Sequence, residues 1–337
     1  MVEQEVVYKK LIKIYPFAIL IFVFLLIFSL TLYNIFYPVF IGTPKKIYIS
    51  PGMKGSDIGW FLEREGIIRS SFYFRILMVL KKIKPKAGYY EFYGFNNILD
   101  VLTILEKGGK GIKITIPEGK TVKEIEEILK TKGFNLELSS KKLKDYASPI
   151  ILKYFPATAN LEGFLMPDTY EFYKEDNEKQ ILNKILANFE KKLLPEILKV
   201  DSLPPYETLI LASIIEKEAK KENDFFVISG ILLKRLANKM KLEADAPLVY
   251  EKCGFRFCDY ELTKKDLNTH SPFNTYKNLG LPPQPISNPG ILAIKAILNP
   301  LPTDYWFYLT DKEGNAYYAK TYKEHLENIK KYLKPQR

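Results

Sequence analysis

Between Ile14 and Ile41 the chain carries no charged residue, and the middle of that run reads FAILIFVFLLIFSLTLY. At 1.5 Å per residue, about 20 residues cross a hydrocarbon core of ~30 Å, so this stretch is long enough to span a bilayer. A cleaved leader would have a shorter apolar core and a small-residue cleavage site. The flank here is YNIFYPVFIG, which has no such site. The expectation is an uncleaved anchor over 14–41, with a tail of residues 1–13 on one side and everything from 43 onward on the other. Tyr33 and Tyr37 suit the membrane interface. Lys9, Lys10 and Lys13 precede the span, but Lys45 and Lys46 follow it, so the positive-inside bias is weak. The short leading tail favours the N-terminus in the cytoplasm.

That placement decides how the charge is read. The 337 residues carry a formal net charge of +11, which suits anionic partners. With the bulk of the chain outside the cytoplasm, nucleic acid is not an expected partner; lipid headgroups and cell-wall polymer remain. A solvated lysine surface would give the same charge with no partner at all. The two cysteines, Cys253 and Cys258 in EKCGFRFCDY, are close enough for a local disulfide outside the cytoplasm, with reduced thiols as the alternative. Two cysteines and two distant histidines make no zinc pattern, and neither a metal nor a cofactor is expected.

After the anchor the chain repeats itself. IYISPGMKGSDIGWFLEREGII (47–68) and ITIPEGKTVKEIEEILKTKGF (114–134) align at an offset of 67, matching Gly52 to Gly119, Ile58 to Ile125, Leu62 to Leu129 and Gly66 to Gly133. Each copy starts with alternating apolar residues, turns at Pro or Gly, and continues with apolar residues spaced by three and four. The unit predicted is strand, turn, helix, ended by glycine at a C-cap. Between the copies a short strand and a helix over about 97–107 are expected, stopped by Gly108 and Gly109. Composition changes near 155. Helical patterns follow at 179–198, 205–221 and 224–239, then loops rich in Pro and Asn. DYWFYLTDKEGNAYYAKTY reads as a β-hairpin and 322–333 as a closing helix. The expected fold class is α+β, with one module over 43–150 and a second over 155–337.

Candidate chemistry rests on carboxylates, because the chain has no glycine-rich phosphate loop, HExxH or GxSxG, and its two histidines lie far apart. Most acids sit on lysine-rich helix faces that water solvates. In LASIIEKEAKKEN, Glu216 shares a helix stripe with Leu209, Ala212 and Ser213. A carboxyl on so apolar a stripe loses water, which raises its pKa and suits it to donate a proton to a glycosidic oxygen. Glu218 lies over Ile214 and Ile215, and periodicity alone does not choose between the two. LEGFLMPDTYEF adds Glu162, Asp168 and Tyr170 around a turn, a set that could bind sugar or merely cap a backbone.

In order along the chain, LEGFLMPDTY, LASIIEKEA, KLEADAPLVY, SPFNTY, GLPPQPISNPG and a hairpin ending in TYKEH resemble the MltG (YceG-like) endolytic murein transglycosylases from about residue 45 to the end. The resemblance implies a single membrane anchor in the cytoplasmic (inner) membrane, a LysM-like module over 43–150 and a catalytic domain over 155–337. It implies cleavage of nascent peptidoglycan strands between N-acetylmuramic acid and N-acetylglucosamine, leaving 1,6-anhydromuramic ends, with Glu216 as the catalytic acid. It also implies a stabilising role for Asp245 or Glu162, a groove lined by Asn274, Tyr276 and Asn288, and peptidoglycan synthases as partners. Glu243 departs from the family pattern, which often has Gln there. The alternatives are a non-catalytic wall-binding module and a hydrolytic muramidase.

Overall fold

A computed structural model describes residues 2–109, 111–174, 176–311 and 313–333. The polypeptide forms two compact units, Met1–Gly111 and Ile112–Arg337.

The first unit begins with helix α1 (Val2–Phe36), whose segment Phe17–Phe36 has the length and apolar composition of a membrane crossing and presents its side chains outward. The chain then turns into strand β1 (Val39–Ile49), followed by helices α2 (Gly55–Arg64) and α3 (Ser71–Leu80), strand β2 (Gly88–Asn96) and helix α4 (Ile98–Lys107). β1 and β2 pair antiparallel from Val39↔Asn96 to Ile49↔Gly88, with an irregularity between Ile41 and Lys45. Their buried side chains Ile47, Ile49 and Phe92 meet Ile58 and Leu62 of α2, Phe74 of α3 and Val101, Leu102 and Leu105 of α4. α4 starts on a reciprocal cap between Asn97 and Asp100, which satisfies two otherwise unpaired N–H groups.

The second unit opens with strand β3 (Ile112–Ile116) and helix α5 (Val122–Thr131), then helix α6 (Pro149–Tyr154) and strand β4 (Asp168–Phe172). β3 and β4 pair antiparallel, Ile112↔Phe172 to Ile116↔Asp168. That pairing is why the division falls at Gly111: the second copy of the repeat is built into the larger unit and the first copy into the smaller. Both copies form strand, turn and helix, and Gly66 (φ 64°) and Gly133 (φ 90°) end their helices in the left-handed region.

Helix α7 (Glu178–Asn188) widens into a π-helical turn at Phe189–Leu193 before α8 (Leu194–Ile197), where the sequence pattern predicts one helix over 179–198. Pro195 accounts for the break, since it has no N–H for the carbonyl four residues back. Helices α9 (Pro205–Glu218) and α10 (Glu222–Ala237) follow, then α11 (Ala246–Lys252), α12 (Lys264–Leu267) and α13 (Ile291–Leu298). The hairpin β5 (Phe307–Thr310) and β6 (Ala316–Ala319) leads to α14 (Tyr322–Asn328). α9 is buried without interruption from Thr208 to Ile215 and packs on α8, α10, α11 and α13. An apolar helix with no polar face belongs at the centre of a core, and each fully buried Leu or Ile stabilises it by about 1.5–3 kcal/mol. The mixed helix and strand content agrees with the α+β expectation.

Candidate active site

The one polar interruption in the apolar run of α9 has a structural purpose. The Ser213 hydroxyl donates to the Ile210 carbonyl (2.6 Å) and accepts from the Ile286 N–H (3.0 Å), and the Ser213 carbonyl accepts from the Ser287 hydroxyl (3.1 Å). One turn further along, Oε2 of Glu216 accepts from the Gly290 N–H at 3.0 Å. The loop 286–290 is thereby fastened to the helix at two successive levels. A second segment closes over it. Gly119 N–H donates to the Asn288 carbonyl (2.8 Å), and Asn288 N–H donates to the Lys120 carbonyl (2.9 Å). A Cβ on Gly119 would lie 3.3 Å from Cγ of Glu216, and a Cβ on Gly290 would overlap the carboxyl of Glu118.

Glu216 is half-buried in this enclosure. Burial pushes its carboxyl up to about 7; the Gly290 N–H opposes the rise, and the charge of Glu118 adds to it. Among the described residues, its other oxygen has no hydrogen-bond donor. Next to it, Nζ of Lys217 donates to the Gly119 carbonyl (3.2 Å) and lies 3.8 Å from the ring centre of Phe257. Burial lowers the pKa of that ammonium. The result is a carboxyl near its titration midpoint at neutral pH, braced by backbone and with one face available.

The two glutamates of the motif have different surroundings. Glu218 accepts from the Ala246 N–H at 3.3 Å. Burial also pushes its carboxyl up to about 7, and Asp245 raises it further by like charge. Asp245 in turn accepts from the Tyr276 hydroxyl (2.6 Å), and burial raises its pKa while that hydrogen bond opposes the shift. Asp245 and Tyr276 are therefore grouped with Glu218, whereas Asn288 and Glu162 are grouped with the loop that holds Glu216.

Glu162 is buried (2% exposed). Its carboxyl accepts from Val122 N–H (3.1 and 3.3 Å), from the Tyr250 hydroxyl (2.9 Å) and from Nδ2 of Asn288 (3.1 Å). Burial raises it to about 8, against the Tyr250 and Val122 bonds. Its position at the start of α5 also helps satisfy that helix end. It lines a cavity of about 220 Å³ with Asn160, Tyr250, Phe255 and Gln284. Asn288 completes the knot, with Nδ2 also donating to the Lys120 carbonyl (2.8 Å) and Oδ1 accepting from Leu165 N–H (2.7 Å).

Three other sequence candidates are held within the framework. Asp168 pairs with Lys192 (2.5 Å) and accepts from Asn188 (2.8 Å), which pulls its carboxyl down to about 2. The Tyr170 hydroxyl donates to the Met166 carbonyl (2.7 Å) and accepts from Asn188 (3.0 Å), so both residues clamp β4 to α7. Nδ2 of Asn274 donates to the carbonyls of Leu267 (3.1 Å) and Thr269 (2.7 Å), which shapes the loop carrying Tyr276. Glu243 pairs with Arg235 at 3.0 Å, and so gives a counter-charge to a buried guanidinium that also donates to the carbonyls of Lys241, Leu242 and Trp306. Cys253 and Cys258 form a disulfide. Among the described residues, no group of three or more His, Cys, Asp or Glu is arranged to hold a metal.

Sequence reasoning alone misses Glu118 and Gly290. Glu118 could have been found by comparing the two repeat copies, because the first copy has Pro51 at the equivalent position. Gly290 gives no chemical signal, since it contributes only an N–H and the absence of a side chain.

The fold and the end of α9 define a class: α+β proteins with one N-terminal apolar helix and raised-pKa, backbone-braced glutamates at the end of a central helix. The model of the YceG-like family matches residues 47–331, and the chain belongs to that family. It is 29% identical over 313 residues to the endolytic murein transglycosylase of Bacillus subtilis (strain 168), covering 86% of this chain and 85% of that one. It is also 29% identical over 317 residues to the endolytic murein transglycosylase of Streptococcus pneumoniae (strain D39), covering 85% of this chain but spanning only 58% of the pneumococcal protein. The crystal structure of a YceG-like protein from Listeria monocytogenes superposes with a TM-score of 0.53 at 28% identity, covering 85% of this chain and 99% of that one.

Proposed function

We propose that this chain is a membrane-anchored lytic transglycosylase that cuts peptidoglycan strands internally, with Glu216 as the acid. The observation that carries the reading is a half-buried carboxyl, pushed up to about 7 and braced by the Gly290 N–H, in a chain of the YceG-like family. The activity named for the relatives is the one such a carboxyl can perform alone.

Protonated Glu216 gives its proton to the oxygen linking N-acetylmuramic acid to N-acetylglucosamine as the C1–O bond breaks. The resulting carboxylate takes the proton from the muramic C6 hydroxyl, whose oxygen bonds to C1 and closes the 1,6-anhydro ring. Glu216 ends protonated and no water is consumed, so the reaction is an intramolecular transglycosylation and not hydrolysis. Paired-carboxylate glycosidases need a second acid or nucleophile at a set distance; this route does not. Asn288 and Glu162 keep the loop 286–290 in place, and Asp245 and Tyr276 offer polar groups on the Glu218 side. A LysM-like role for the membrane-side unit, an orientation with the catalytic unit outside the cytoplasm and association with peptidoglycan synthases all belong to this proposal.

Mass spectrometry of sacculi digested by the protein tests it. Anhydro-ended fragments without oxygen from labelled water are expected. Reducing ends carrying that oxygen would make the protein a muramidase, and tight binding with no released fragments would make it a wall-binding module. A second assignment has its own support, because Glu218 also titrates near 7 beside Asp245. If Glu218→Gln stops turnover while Glu216→Gln leaves it intact, the acid is Glu218.

The pH profile gives a further expectation. The working form of Glu216 is protonated, so the rate should fall as pH rises through about 7. Glu118→Gln removes the like charge that helps keep the proton on, so the falling limb should move to lower pH while the low-pH plateau stays the same. A limb that stays fixed in that variant would remove Glu118 from the account.

A further inference from the structure

Helix α3 is apolar on two sides but is covered on only one. Phe74 is fully buried against the core of the first unit, and Leu77 and Met78 pack partly on it. On the opposite side Phe72 (55% exposed), Ile76 (40%), Val79 (69%) and Leu80 (71%) form an outward stripe at the i, i+4, i+7, i+8 spacing of one helix face. A helix that is apolar all round is normally enclosed, so something outside the chain must cover this face.

The surroundings indicate what covers it. Arg69, Arg75, Lys81, Lys82, Lys84 and Lys86 flank the stripe, and no Asp or Glu occurs between residues 66 and 90. The helix is also fixed against the membrane-crossing segment of the same unit. The hydroxyls of Thr31 and Tyr73 are 3.1 Å apart. The Arg69 guanidinium donates to the carbonyls of Tyr37 (3.4 Å) and Pro38 (3.3 Å) and lies over the rings of Tyr33 and Tyr37. Thr31 lies five residues before the end of the span at Phe36, about 7 Å along the helix axis. A partner of Thr31 is therefore near the boundary between headgroups and acyl chains. Phe40 and Phe95, both exposed, pack with ring centres 4.8 Å apart and planes tilted by 41° where the hairpin leaves the span.

We propose that α3 lies in the headgroup region of the leaflet from which α1 emerges, with its Phe72–Ile76–Val79–Leu80 stripe sunk toward the acyl chains and its cations on anionic phospholipid. Interfacial helices bury an apolar face ~5–10 Å into the headgroup and acyl boundary and keep Lys and Arg at the polar edge, and cations near an anionic leaflet add to the attraction. The first unit is then held on the membrane at a second point, in addition to its connection to the span at residues 37–38. The inference rests on α1 being a membrane span.

The test uses the full chain reconstituted in vesicles of phosphatidylcholine with phosphatidylglycerol. An environment-sensitive fluorophore is attached at Ile76→Cys, and in a separate preparation at Phe24→Cys within the span. Brominated acyl chains should quench both labels, since position 76 is expected ~5–10 Å into the headgroup and acyl boundary. Vesicles of phosphatidylcholine alone should quench position 76 less. Quenching at 24 with none at 76 overturns the inference and leaves the anchor intact; no quenching at either position overturns the anchor itself. Disulfide-linked dimers of the unlabelled Ile76→Cys variant, with no quenching of the labelled one, would assign the stripe to a second copy of the chain. Equal quenching in both lipid mixtures would overturn the role given to the cations.

Discussion

Glu216→Gln should lower the release of anhydro-ended fragments by about 10²–10⁴-fold, the range that a positioned acid–base group contributes. Gln can keep the hydrogen bond from the Gly290 N–H but has no proton to give. The loss should appear in turnover and not in binding of sacculi, because the amide has nearly the shape of the acid. Stability should change in the opposite direction. The folded-state pKa of Glu216 is raised to about 7 from an ordinary value of 4.5. Between those pH values the unfolded chain releases the proton more readily than the native one, so this residue lowers stability as pH rises through that window. Gln removes the effect, and the variant should melt at least as high as the parent at pH 8. A variant that keeps its melting temperature and loses activity identifies chemistry; one that loses both identifies a folding defect and leaves the acid unassigned. Retention of full turnover would end the assignment.

Gly163→Ala should produce a large loss of stability from a single methyl group. Gly163 sits at φ 90°, in the left-handed region, between Glu162 and Phe164. A Cβ there would stand 2.7 Å from Cγ and 2.8 Å from Cβ of Pro285, and 3.1 Å from Cδ2 of Leu209. The backbone conformation costs an L-residue about 1–2 kcal/mol, and overpacking a dense interior costs about 1–3 kcal/mol more. Together these amount to about 2–5 kcal/mol, a fall of roughly 5–15 °C in Tm for a unit of this size. Pro285 begins the loop that carries Ile286, Ser287, Asn288 and Gly290, so whatever relieves the clash also shifts the N–H that braces Glu216. Thermal unfolding followed by circular dichroism gives the first quantity, and activity below the transition gives the second. A variant melting within a degree of the parent would mean that the loop and α9 can separate at almost no cost.

The repeat, the N-terminal apolar helix and the terminal hairpin could be read in the sequence because each is local. Matched Gly66 and Gly133, alternating strands and an uncharged run depend on neighbours a few residues apart. The stripe that puts Leu209, Ala212, Ser213 and Glu216 together is equally local. What covers that stripe is not. Glu216 meets Gly290, Glu118 and Gly119, contributed by segments about a hundred and seventy residues apart, and helical periodicity says nothing about such partners. Asp168 and Tyr170 have the composition of a sugar-binding turn, yet their hydrogen bonds go to Asn188 and Lys192 on the neighbouring helix. Composition cannot tell a carboxylate that joins a strand to a helix from one that faces a ligand. The outward stripe of α3 was hidden for the opposite reason: a helix with two apolar sides looks like any core helix until one side is found uncovered.

The strand–turn–helix pattern occurs twice, and its two copies now serve different purposes. One lies beside the anchor; the other provides the turn that closes over the acid. Every segment that touches Glu216 comes after Ile112 in the chain. On the proposed function, the membrane span and the acid belong to separate units, and the seam between those units runs through the middle of a duplication.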